Sequence, residues 1–291
     1  MEVNMYNWGW KIIIYLFLGG LGAGAYLTSF AAQKGWLGEK SNLGRVGFYL
    51  SGPFVLIGSV LLFLDLGIAF SDPFGVLRMF SNIQSVMTWG IYIISLFIII
   101  GFASAYCTWK QRKLSSVLLS FGAILALATG TYTGVLLAVV ISVPLWNTFL
   151  LPVLFVVSAL STGLAATSLC SYYWEKNIEQ NETRVNKIHL VLLVLEVILI
   201  SLLLAFTLSG AKGVAAVSSA QKIIMGPLAV PFWLLVVAIG LVFPLAYYII
   251  KIKGQKKDYS QILYITSSEL SVLLGGLALR AIIVFGAVRI Y

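Results

Sequence analysis

The sequence predicts an all-α, polytopic membrane protein: a bundle of eight transmembrane helices with both termini outside. Three observations predict it. Sixty per cent of the 291 residues are hydrophobic and only 10% are charged, with a mean hydropathy of +0.99, a balance foreign to soluble globular domains. The apolar residues form continuous runs rather than the short alternating strands of a β-barrel. The basic residues collect in alternate loops, the pattern left by membrane insertion.

Crossing about 30 Å of hydrocarbon takes roughly 20 helical residues. Eight runs are long enough, at 11–33, 47–70, 86–109, 115–140, 148–173, 188–210, 228–250 and 262–288. Together they make one integral membrane domain over 1–291, with no second, water-soluble domain, internal repeat or low-complexity tract.

The first run follows YNWGW (6–10) and opens with Lys11, which sits at the membrane edge and can snorkel. It continues directly into GGLGAGA (19–25), so it reads as a retained helix rather than a cleaved signal peptide. Those small residues predict close helix packing in preference to ligand contact. The second run ends on LLFLDLG (61–67), which carries Asp65 into its last turn. The third starts from NIQSVMTWG (82–90), and the fourth carries GTYTG (130–134) towards its exit. VPLW (143–146) links the fourth run to the fifth. The sixth contains His189 near its start and Glu196 near mid-depth, and the eighth contains Glu269 and Arg280.

Orientation follows from the loops. Those after runs one, three, five and seven carry Lys34, Lys40, Arg45, Lys110, Arg112, Lys113, Lys176, Arg184, Lys187, Lys251, Lys253, Lys256 and Lys257, thirteen of the nineteen basic residues. The opposite side has Lys11, Arg78, Lys212, Lys222 and Arg289. Cytoplasmic loops retain positive charge, so both termini face outward. The net charge of +9 is thereby explained without nucleic acid, because the basic residues form no aromatic-laced patch.

With this orientation the unusual residues gather at the outer end: Trp10, Asp65, Trp89, Tyr132 and Trp146. Each ring taken singly also reads as an interfacial anchor. An ionised group in the membrane costs roughly 2.5 to 3.5 kcal/mol on insertion scales, so Asp65, Glu196 and Arg280 need partners or tasks. Arg280 approaches the depth of Asp65 and could pair with it; such a pair would serve structure alone or function as well. Glu196 is the proton-relay candidate, against a satisfied structural carboxylate.

Missing residues constrain the chemistry. His189 is the single histidine, so intrinsic bis-histidine haem is excluded. Cys107 and Cys170 lack CxxC spacing, so neither an iron-sulfur cluster nor a zinc site is expected. There is no GxxxxGK[ST] stretch, and the glycines of the first run follow no strand. A redox role would use a diffusible lipid cofactor.

Six stretches in order carry a resemblance: YLFLGGLGAGAYL (15–27), LLFLDLG (61–67), SVMTWGIYIISLF (85–97), GTYTGVLL (130–137), PLWNTFLLPVLFVVSALSTGLAA (144–166) and GGLALRAIIVFGA (275–287). The chain resembles the NrfD/PsrC-like membrane subunits of polysulfide reductase and related respiratory complexes. The resemblance implies a prokaryotic cell-membrane protein with a haem-free site for menaquinone or another quinone near the outer face. It implies docking under a ferredoxin-like iron-sulfur subunit connected to a molybdopterin catalytic subunit, with no terminal-substrate active site in this chain. Asp65 from DLG, Tyr132 from YTG and Arg280 from LR carry over as quinone-site candidates. Trp10 and Trp89 join them by their place at the same end, and Asp65 and Glu196 are the proton-relay candidates. Family members often follow DLG with a basic residue and proline, whereas this chain has Ile68, Ala69 and then SDP (71–73), so the docking surface differs locally. The asparagine and histidine that some relatives carry in the first helix have no match here.

The expected function is a quinone-reactive membrane anchor that oxidises menaquinol and exchanges electrons with the iron-sulfur partner. Two other classes compete: a secondary transporter with Asp65, Glu196 and Arg280 lining its path, and a structural anchor whose charges only fix packing. No paired, inverted helix breaks favour the transporter.

The loop count yields a topology test. Cysteines placed at positions 111 and 144 are expected to label from opposite faces of sealed cells, with 144 reached from outside. Outside labelling at 111 would reverse the orientation.

Overall fold

The structure, a computed structural model, describes residues 8–38, 43–65, 85–175, 182–253 and 261–290. Nine helices carry these residues: α1 (Trp10–Gln33), α2 (Leu43–Asp65), α3 (Val86–Trp109), α4 (Ser116–Ala138), α5 (Leu150–Glu175), α6 (Glu182–Leu208), the short α7 (Val214–Ile224), α8 (Ala229–Ile252) and α9 (Gln261–Phe285). All but α7 are long and apolar enough to cross a membrane, so the eight expected spans are present. The expectations for Lys40, Arg78, Lys176, Lys256, Lys257, the tail of the second run at 66–70, SDP at 71–73, and Asn82 to Gln84 lie outside the described residues.

Two features were not expected from the sequence. Residues 214–224 read as part of a loop, yet form an amphipathic helix that buries Ala216, Ser219, Ala220 and Ile223. The centre of α8, Phe232–Val242, is a π-helix. Wider π turns are rare, and they mark places where tertiary packing outweighs the better α hydrogen bonds. Here the packing is visible: Gly240 meets Gly275 of α9 so closely that a Cβ on either would overlap the other backbone.

The glycines of α1 pack as the sequence predicts. Gly24 and Gly163 bring the α1 and α5 backbones into direct contact, and Gly22 and Gly47 do the same between α1 and α2. Helix α1 is therefore the central post, with Tyr15, Leu16, Ala25 and Tyr26 fully buried. In a membrane, where lipid is as apolar as leucine, such close contact supplies the association energy through dispersion and shape.

The helix ends sort into two groups. Trp8 packs on Trp146 at 5.1 Å, Trp10 meets Phe285 edge-on at 5.3 Å, and Ile290 donates its N–H to the Ser142 carbonyl at 2.9 Å. These contacts gather the start of α1, the 139–149 connection and residues 286–290 at one end, called here the terminal end. Tyr49 near the start of α2 meets Trp174 near the end of α5 at the other, basic end.

Substituting valine for Gly24 would drive a side chain into the α5 backbone. Overpacking commonly costs about 1 to 3 kcal/mol, and backbone cannot move aside as a side chain can, so the expected loss lies at the upper end. A markedly lower folded yield and melting temperature in detergent are expected, and wild-type melting would refute the close contact.

Candidate functional site

Two polar centres flank α1, one near the terminal end and one closer to mid-depth. The first contains Tyr15 and Tyr132. Tyr15 sits five residues into α1 and is fully buried, and its hydroxyl has no hydrogen-bond partner among the described residues. Tyr132 of α4 is 6% exposed and is its titratable neighbour. The ring of Tyr132 lies against Gly90 in the first turn of α3, where any Cβ would overlap it. The glycine in MTWG thus makes room for the tyrosine in GTYTG. Thr133 turns the other way, donating to the Gly130 carbonyl at 2.7 Å.

Asp65 closes α2 at the terminal end, beside the start of α1. Its carboxylate lies 4.0 Å from Lys11 Nζ, with 28% and 56% of the two side chains exposed. The pairing with Arg280 is therefore corrected: Lys11 is the partner of Asp65. The reason is the antiparallel arrangement of α1 and α2. Asp65 stands at the negative end of its own helix and Lys11 at the positive end of its own, but each lies beside the complementary end of the neighbour. So exposed a pair contributes at most about 1 kcal/mol.

The second centre surrounds Arg280. Its guanidinium is fully buried. Nη1 donates to Ser158 Oγ and to the Gly276 carbonyl, both at 2.8 Å, and Nε donates to the Leu16 carbonyl at 3.4 Å. The rings of Phe155 and Phe17 lie 5.3 and 5.7 Å from the cation. Gly20 leaves the space Nη2 needs, since a Cβ there would come within 3.1 Å. The same Ser158 hydroxyl faces Glu196 of α6, whose carboxylate is the counter-charge of Arg280. Ser158 can accept from the guanidinium and donate to the carboxylate at once. Glu196 is 5% exposed, so Arg280, Ser158 and Glu196 form one buried polar unit.

Helix α9 is fixed along its axis by groups from elsewhere. Trp146 Nε1 donates to the Ile283 carbonyl at 2.8 Å, and Lys222 Nζ donates to the Phe285 carbonyl at 2.7 Å. Helix ends leave such carbonyls without intrahelical partners, and a cation there also complements the dipole. These two residues hold Arg280 at its depth.

The structure brings Tyr132 into the first centre, places Asp65 beside the start of α1, and puts Arg280 with Glu196 in the second. Trp10 and Trp89 are 59% and 55% exposed, at the terminal end but on its surface. Sequence reasoning missed Tyr15, Ser158 and Lys11 as site residues. The spacing of Lys11 and Tyr15, four apart on one helical face, was a signal for two of them. Nothing in the sequence distinguishes Ser158 from its neighbours in a serine-rich helix.

A family model described as polysulphide reductase, NrfD, matches residues 2–290. The protein is 27% identical to the C subunit of the polysulfide reductase of Wolinella succinogenes, over 98% of this sequence and 96% of that one. It is 28% identical to the NrfD homolog of Haemophilus influenzae over 82% of each sequence. It is also 28% identical to NrfD of Escherichia coli, over 62% of this sequence and 64% of that one.

Breaking a buried ion pair commonly costs about 3 to 5 kcal/mol, whereas replacing both partners by apolar residues is close to neutral. Glu196→Leu alone is expected to lower the melting temperature in detergent, and Arg280→Met in the same molecule to restore most of it. Additive losses in the double variant would show that the two charges do not interact.

Proposed function

The protein belongs to the polysulphide reductase NrfD family and is a membrane subunit of a respiratory oxidoreductase; from that premise we propose that it exchanges electrons between membrane quinone, menaquinol in the first instance, and an iron-sulfur partner. The observation that carries this reading is the buried Tyr15 and Tyr132 pair, with the carboxylate of Asp65 at the same end. Tyr15 keeps an unsatisfied hydroxyl in the apolar interior of the described residues. A buried polar group without a partner costs about 1 to 3 kcal/mol, and a quinone carbonyl oxygen is the acceptor a phenol donor lacks. The residues present therefore fit the group.

Tyr15 and Tyr132 would hold the quinone head by hydrogen bonds. When bound, the quinone supplies two-electron chemistry with two protons. Asp65, part-exposed at the terminal end, would take a proton at its carboxylate oxygen and pass it to water, while Lys11 keeps that carboxylate oriented. Arg280 lies across α1 from the tyrosines. Glu196 supplies the counter-charge that keeps Arg280 from being an uncompensated buried cation.

The outward orientation of both termini belongs to the same proposal. It places the tyrosine centre at the outer face, where a ferredoxin-like iron-sulfur subunit, joined to a molybdopterin catalytic subunit, would accept the electrons. The exposed rings of Trp10 and Trp89 stand at that end and suit either membrane interface or partner contact.

Tyr132→Phe removes a hydroxyl worth about 0.5 to 1.5 kcal/mol net and keeps the ring, so quinol turnover in the assembled complex is expected to fall roughly two- to tenfold. Unchanged quinol kinetics in a fully assembled complex would make Tyr132 a packing residue and remove the main support for the site. Asp65→Asn separates proton acceptance from structure. It is expected to lower turnover per complex, measured against iron-sulfur content across pH, while abundance is preserved. A wild-type rate and pH profile would leave Asp65 a structural charge.

A further inference from the structure

The basic half of the molecule contains a buried titratable cluster that the quinone reading does not use. His189 of α6 is fully buried and Glu269 of α9 is 4% exposed, with Nε2 and Oε1 3.6 Å apart. Tyr248 of α8 stacks on the imidazole at 4.7 Å, its ring tilted by only 14°. The Tyr248 hydroxyl is directed at Glu269 and Ser268, whereas both imidazole nitrogens have no hydrogen-bond partner among the described residues. The charged and titratable groups that face the pair, among the described residues, are Lys251, whose field reaches both members, and Tyr247 and Tyr248, all on α8.

This arrangement suits a structural pair poorly. Each unsatisfied buried group costs about 1 to 3 kcal/mol, and apolar residues of the same volume would pack there at less cost. A group that must both gain and lose a proton cannot be locked into one set of bonds.

The cluster is also aligned with the second polar centre. His189 and Glu196 are seven residues apart on α6, and Glu269 and Arg280 are eleven apart on α9, so each helix presents both members on one face. The axial separations are about 10 Å on α6 and about 16 Å on α9 at 1.5 Å per residue. Arg280 removes the mismatch, because its side chain runs back one turn to the Gly276 carbonyl. Side chains of the two helices therefore approach twice, at His189 with Glu269 and at Glu196 with Arg280 through Ser158 of α5. Between these levels α5 contributes the buried hydroxyls of Ser161 and Thr162.

We propose that His189 and Glu269 form a buried proton-loading site near the basic end, which hands protons past the α5 hydroxyls towards Glu196. The Glu269 carboxylate takes a proton from water and becomes a carboxylic acid. It passes that proton to His189 Nε2, leaving carboxylate and imidazolium, and no electrons move. Loading rests on this geometry alone; its coupling to turnover rests on the quinone reading.

The test uses the intact complex in vesicles of known orientation, with infrared difference spectra recorded after a pH change on one side. A carboxylic acid C=O band is expected to respond to pH at the basic-loop side only, to vanish in Glu269→Gln and to move in Glu269→Asp. His189→Gln should keep the band and abolish proton uptake from that side. If Glu269→Gln fails to fold, carbon-13 glutamate in the wild-type protein identifies the band instead. Absence of a titrating glutamate band, or a band answering equally to the terminal side, overturns the site. Quinol oxidation measured on the same vesicles with an uncoupler separates the two readings. Its absence with the band intact would refute the quinone reading alone, and turnover without the band would refute the loading site alone.

Discussion

A guanidinium buried in the apolar interior is the constraint around which much of this bundle is arranged. Arg280 has no water to solvate it, so the protein must supply acceptors, a counter-charge and space. The Leu16 and Gly276 carbonyls and the Ser158 hydroxyl supply the first, and Glu196 the second. Gly20 supplies the third. These residues come from α1, α5, α6 and α9. Four helices are therefore held in register by one side chain, and the caps from Trp146 and Lys222 keep that side chain at its depth.

The same constraint leaves two chemically distinct polar centres, one near the terminal end and one closer to mid-depth. Helix α1 passes between them, offering Tyr15 to the α3 and α4 side and the Leu16 carbonyl to the α9 side. Neutral phenols that can hydrogen-bond a small acceptor thus sit near a cation without touching it. The family to which the protein belongs gives both centres a respiratory context.

Close glycine contacts make these placements possible and also explain the departures from regular structure. The Gly24 and Gly163 contact lets α1 lie deep enough for Leu16 to reach Arg280. The Gly240 and Gly275 contact draws α8 onto α9, and the π-helical centre of α8 lies at this approach. Further along the same helix Tyr248 stacks on His189. Packing between α8 and α9 and the polar cluster at the basic end are thus two aspects of one helix contact.

The sequence by itself determined the fold class, the eight spans and the residues too polar to lie in a membrane without a reason. Hydrophobic length and loop charge act locally, so they can be read one segment at a time. Asp65, Tyr132, Glu196 and Arg280 stood out because each breaks an apolar run. What the sequence could not decide was who meets whom, since partners on different helices depend on rotation and depth, which packing sets. Asp65 could have met Arg280 and meets Lys11 instead, because α1 and α2 are antiparallel neighbours. Tyr15 looked like an ordinary aromatic until its hydroxyl was found enclosed beside Tyr132. Ser158 is one serine among several until Arg280 and Glu196 converge on it. The amphipathic helix at 214–224 and the π-helix in α8 were equally hidden, because both exist to satisfy contacts made far away in the sequence.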